Sequence, residues 1–135
     1  MDIDLNTLAD TYLRQYVTKR DEDFWAWQEV HRIVWSGELV PALKITLLLL
    51  RKAQTDVALG YVAAGPLEDF VDGYGDQALG RVQEACDKDV RLQFALSGIW
   101  LLPDSPVLRR WQGLMTKYGF RTGHRKPLSY HEDCW

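Results

Sequence analysis

Apolar side chains recur at intervals of three and four residues in one segment after another, and that spacing constrains the fold more than any other feature of the chain. Leu5, Leu8, Tyr12, Leu13 and Tyr16 share one face of a helix of 3.6 residues per turn, so a first helix is predicted from about Asp4 to Val17. Lys19-Arg20-Asp21 breaks the pattern. Asp21 can cap a second helix whose stripe is Phe24, Trp27, Val30, Ile33 and Val34, ending near Gly37. A third helix should begin about Pro41, since proline lacks an amide proton that the first turn would leave unbonded anyway. From Leu43 to Leu50 it is apolar on almost every face, which marks it as the central helix.

Asp56 is the expected N-cap of a fourth helix running through Ala64, which Gly65-Pro66 should interrupt because glycine is loose there and proline cannot donate. A new segment restarts at Pro66 with Leu67, Phe70, Val71 and Tyr74 on its apolar face, and Gly73 with Gly75 ends it. Asp76 opens the next helix, with Leu79, Val82 and Cys86 inward. Asp89 opens another, with Leu92, Ala95, Leu96 and Ile99 inward. Ser105-Pro106 is a cap and first-turn pair for a last helix lined by Val107, Trp111, Leu114, Met115 and Tyr118. Strand-type alternation and hairpin dipeptides are lacking. The expectation is an all-α fold: a compact multi-helix bundle, or a short α-solenoid-like stack of antiparallel helices, between which no internal repeat decides. Residues 1–118 form one helical domain in this reading. Residues 119–135, with Gly119, Gly123 and Pro127, form an irregular basic C-terminal tail.

At 135 residues, 47% of them hydrophobic and 26% charged, the chain can bury a core without staples. Six tryptophans each need a partner for the indole N–H, which places some of them at the rim of the core. Cys86 and Cys134 lie in unlike contexts and imply no disulfide, so a cytoplasmic setting is expected. The first twenty residues contain Asp2, Asp4 and Asp10 and no apolar run, unlike a secretory signal. Leu39 to Leu50 is too short to span a bilayer, so no membrane partner is expected. Charge is uneven: residues 1–104 carry 10 Lys and Arg against 17 Asp and Glu, and residues 105–135 carry 6 against 2. An acidic body disfavours nucleic acid as its partner.

The residues that could carry chemistry are few. Glu68 and Asp69 stand just after Pro66, where carboxylates offset a helix dipole and Glu68 can reach back to a free amide. Alternatively Glu68, Asp69, Asp72 and Asp76 form an acidic face for a protein partner. Ala63-Ala64-Gly65 lets helices approach closely, with Trp100 or Trp35 stacked on the gap. Walker and dinucleotide fingerprints are absent. His31 lies mid-helix beside Glu29 and Arg32, while His131 and Cys134 have the spacing of half a zinc site without a second pair. Ser97 lacks a hydrolase elbow, and Cys86 points inward, where burial raises its pKa. Arg109, Arg110, Arg121, Arg125 and Lys126 make a secondary basic surface. No metal or cofactor is expected.

Through three stretches, Phe24-Trp25-Ala26-Trp27-Gln28-Glu29-Val30, Ala64-Gly65-Pro66-Leu67-Glu68-Asp69 and Ala95 to Trp100, the chain resembles a bacterial family of uncharacterised small helical proteins over about residues 20–100. The resemblance implies a helical fold and carries no known site. The physical type, small, acidic and without a visible catalytic centre, suggests a non-enzymatic interaction module, most concretely an immunity or antitoxin-type inhibitor of a toxin or effector. The alternative is a small hydrolase or metal-dependent enzyme using Glu68 and Asp69 with a histidine brought near by folding. His31, His124 and His131 are the candidates to test against a concave pocket.

Overall fold

Eight α-helices follow one another in a computed structural model that describes residues 4–120. They are α1 (Leu5–Thr18), α2 (Phe24–Val34), α3 (Leu39–Lys52), α4 (Asp56–Val62), α5 (Glu68–Tyr74), α6 (Asp76–Cys86), α7 (Val90–Leu96) and α8 (Leu108–Lys117). A 3₁₀ turn, Asp21–Asp23, leads into α2, and a π-helical turn, Ala63–Leu67, joins α4 to α5. No strand occurs among the described residues.

The all-α expectation holds, and the bundle form describes the packing. Helices α1, α2 and α3 pack against one another, and α3 also touches α4, α5 and α6. In a solenoid each pair would meet only its neighbours; contacts between α1 and α3, α3 and α6, and α4 and α7 close the structure on itself. The apolar run predicted to be central is α3, with Ala42, Ile45, Leu49 and Leu50 buried. Buried side chains from all eight helices form one cluster.

Several boundaries differ from the sequence expectation. The cap of α4 is Thr55, whose Oγ1 accepts from the Ala58 amide at 3.0 Å, and α3 starts two residues before Pro41, at Leu39. Asp21 begins the 3₁₀ turn instead of capping α2. Asp89 does cap α7, its Oδ1 accepting from the Arg91 amide at 2.9 Å. That helix stops at Leu96, so Ile99 is buried from the following loop. Helix α8 begins at Leu108, after Ser105-Pro106, and Phe120 beyond it packs near Phe94, ring centroids 6.4 Å apart. Of the predicted basic tail, residues 119–135, all but Gly119 and Phe120 lie outside the described residues.

The largest correction concerns Gly65-Pro66, which does not interrupt the helix. Proline denies Val62 its usual bond from four residues on. The ladder widens instead, and the Glu68 amide donates to the Ala63 carbonyl, five residues back. Asp56 through Tyr74 therefore runs as one helical stretch with a wide turn in its middle. Tyr12, rather than Trp35 or Trp100, lies over Gly65: a Cβ built there would meet the Tyr12 hydroxyl at 3.6 Å. At the far end, Gly75 adopts φ +69° and ψ −139°, a conformation that side chains disfavour, and α6 starts at the very next residue.

Candidate functional site

An open cleft forms where the C-terminus of α2 meets α5. It has a volume of about 320 Å³ and is lined by Val34, Trp35, Gly37, Asp69, Asp72, Gly73 and Tyr74. Tyr74 fixes its shape: its hydroxyl donates to the Val34 carbonyl at 2.9 Å and accepts from the Gly37 amide at 3.0 Å. Gly37 permits this turn through a φ of +87°. One phenol thereby ties the α2–α3 connection to the end of α5.

Asp69 is the most heavily engaged acid of the cleft. Its Oδ2 accepts from the Trp35 indole at 3.3 Å and lies 3.9 Å from His31 Nε2. His31 Nδ1 is 3.1 Å from the Trp27 carbonyl, which can only accept, so that nitrogen carries its proton and Nε2 is the one turned to Asp69. The imidazole is also stacked on Trp27, centroids 3.8 Å apart. Burial pushes the Asp69 carboxyl above its ordinary range, and the neighbouring Asp72 adds to the rise. The Trp35 hydrogen bond and His31 oppose it. Asp69 Oδ1 has no hydrogen bond among the described residues, and Asp72 has neither hydrogen bond nor ion pair among them. Trp35 stays 70% exposed, so its ring forms a wall of the cleft rather than part of the core.

The four predicted acids are thus separated into different roles. The Glu68 side chain reaches across to another segment, its Oε1 accepting from the backbone N–H of Trp100. Asp69 and Asp72 line the cleft. Asp76 stands across a turn and pairs with Arg110, Oδ1 to Nη1 at 3.5 Å, so two residues assigned to opposite charged surfaces touch each other. Arg109 is exposed on α8. Arg121, Arg125 and Lys126, with His124, His131 and Cys134, lie outside the described residues. Cys86 is buried and its thiol is pushed up to about 12 by desolvation, the inert state expected of it. No group of three His, Cys, Asp or Glu among the described residues has metal-binding geometry.

Sequence reasoning missed Trp35 and Tyr74 as walls of the site. One signal was available. Trp35 falls outside the apolar stripe of α2 and precedes Ser36-Gly37, a place where a large ring has little core to enter.

A model of a family of unknown function matches residues 14–115, which include every wall of the cleft. The chain belongs to this family, DUF6869. No curated protein and no solved structure matches the chain. The DUF6869 match covers the expected stretch of residues 20–100 and ends before Lys117, so the cleft lies inside the family region and the basic tail outside it. No helix among the described residues is long and apolar enough to cross a membrane.

Proposed function

We propose that this chain is a non-enzymatic protein-interaction module that grips a cationic side chain of a protein partner in the cleft of Trp35, Asp69, Asp72 and Tyr74. The observation that carries the reading is the pairing of an exposed indole wall with two adjacent carboxylates, one of them lacking any partner among the described residues. Like charges held close together raise each other's energy. A guanidinium or ammonium entering between them relieves that repulsion and can stack on Trp35. Tryptophan anchors beside complementary charge are also what hot spots of binding energy are made of.

The most concrete form is an immunity or antitoxin-type inhibitor acting in the cytoplasm of a bacterium, a role in keeping with the resemblance to a bacterial family sharing the Ala-Gly-Pro-Leu-Glu-Asp stretch. An acidic inhibitor that meets a basic toxin or effector associates quickly and in one orientation. The test is capture of partners from the native host by tagged wild type and by Asp72→Arg. The variant reverses an exposed charge and should fold as the wild type does, within about 0.5 kcal/mol. One partner should be retained by wild type and lost by Asp72→Arg, its association slowed on the order of tenfold or more at low salt. Equal retention by both proteins counts against the cleft.

One observation favours a second reading. Asp69, held above its usual range and 3.9 Å from His31 Nε2, would supply the general acid–base chemistry of a small hydrolase or metal-dependent enzyme. Glu68, the other acid of that reading, is occupied by the Trp100 amide. Turnover of a substrate abolished by both Asp69→Asn and His31→Gln would establish it.

A further inference from the structure

A second cavity, of about 450 Å³, opens between the loop after α7 and the face of α8. Its walls include Ile99, Trp100, Leu102, Leu108, Trp111 and Gln112. Trp100 is 58% exposed and Leu102 69% exposed, although both belong to a short loop above a well-filled core. The Trp111 indole N–H is spent on the Leu96 carbonyl at 3.0 Å, and Gln112 and the Trp100 indole are the other polar side-chain groups of the wall. Such a groove suits an apolar side chain.

The groove and the acidic cleft are joined by α5. Glu68 and Asp72 lie one turn apart on the same face of that helix, with Cβ atoms about 6 Å apart. Glu68 holds the backbone N–H of Trp100 at the border of the groove, and Asp72 lines the cleft. Asp69, the neighbour of Glu68, holds the Trp35 indole. Two consecutive carboxylates therefore hold the Trp35 indole at one cavity and the backbone of the Trp100 loop at the other, and such anchoring lowers the ordering cost of binding. An extended chain advances about 3.3 Å per residue, so about two residues of a partner match the one-turn step from Glu68 to Asp72.

Resting on the reading of the cleft as a cation site, we propose that the two cavities form one docking surface for a basic, amphipathic segment of the partner protein, its cation in the cleft and an apolar side chain in the groove beside Trp100 and Leu102. The charge of the acids between the cavities selects the cation. The hydrophobic walls beyond Glu68 select what accompanies it.

The test uses N-acetyl-arginine amide and peptides that carry one arginine and one leucine at increasing separations, titrated into the full chain while the indole N–H resonances of Trp35 and Trp100 are followed by NMR. Arginine amide should shift the Trp35 signal alone. A peptide of matching separation should shift both and bind roughly a hundredfold tighter. Leu102→Glu, a change at an exposed loop position, should remove that gain and leave arginine amide binding unaltered. Peptides no tighter than arginine amide at any separation, or a gain that survives Leu102→Glu, overturn the joint surface and leave the cleft standing. Failure of arginine amide to shift Trp35 removes the cleft reading and the joint surface with it.

Discussion

Asp69 meets neighbours that pull its protonation in opposite directions, and burial wins. A carboxyl whose pKa is raised on folding favours the native state most when it is protonated, so its ionised form is carried at a cost that grows as pH rises through the folded value. Asp69→Asn removes the charge and keeps an oxygen for the Trp35 indole. The variant should melt at a higher temperature than wild type at neutral pH, and the difference should shrink in acid, where wild type is itself protonated; thermal melts at the two pH values check both. The same variant should bind a cationic partner more weakly. Stability and recognition then move in opposite senses at one residue, as befits a site kept for function.

At the scale of elements, the wide turn Ala63–Leu67 decides where these acids point. Its extra residue rotates α5 by about 100° relative to a regular continuation of α4, and so turns Asp69 and Asp72 toward the end of α2. Proline causes the turn by withholding a donor; glycine beside it is not essential, because a Cβ at Gly65 would only reach ordinary contact with the Tyr12 hydroxyl. Gly65→Ala should therefore stabilise the protein by about 0.5 kcal/mol, through loss of freedom in the unfolded chain, as measured by urea unfolding. A loss of stability would mean that the turn needs glycine's conformational range. From the sequence, Gly-Pro reads as a break, since local rules do not include the neighbouring helices that make a widened ladder cheaper than a broken one.

Over the whole molecule, ion pairs fasten distant parts of the chain. Arg14 on α1 grips Asp23 through two hydrogen bonds of 2.9 and 3.0 Å. Asp87, just after α6, accepts from Lys117 Nζ at 3.1 Å and the Tyr118 hydroxyl at 2.6 Å, docking the end of α8. The Arg14 hydrogen bond holds the Asp23 carboxyl below its usual range, and the Tyr118 and Lys117 hydrogen bonds do the same for Asp87. A lowered folded pKa gives stability that is complete above the unfolded value and is lost as pH falls through the folded one. The urea midpoint should therefore decline below about pH 4, and Asp23→Asn should flatten part of that decline. A midpoint equally steep in the variant would show that the pair is not coupled to folding. Asp69 works against the trend, so the pairs must be judged by variants and not by the wild-type profile alone.

The sequence by itself determined the helical class, the central place of the Leu39 to Leu50 run, the inward direction of Cys86 and the helix begun at Asp89, because these follow from periodicity and capping within a few residues. It also pointed to Glu68, Asp69 and Asp72 as the acids worth weighing. Only the tertiary structure decided that Glu68 holds Trp100, that Asp69 meets Trp35 and His31, and that Asp76 pairs with Arg110. Each of these contacts spans more than thirty positions of chain, and local pattern carries no information about which surfaces packing brings together. The continuity through Pro66 belongs to the same class, since helices distant in sequence hold that turn in place.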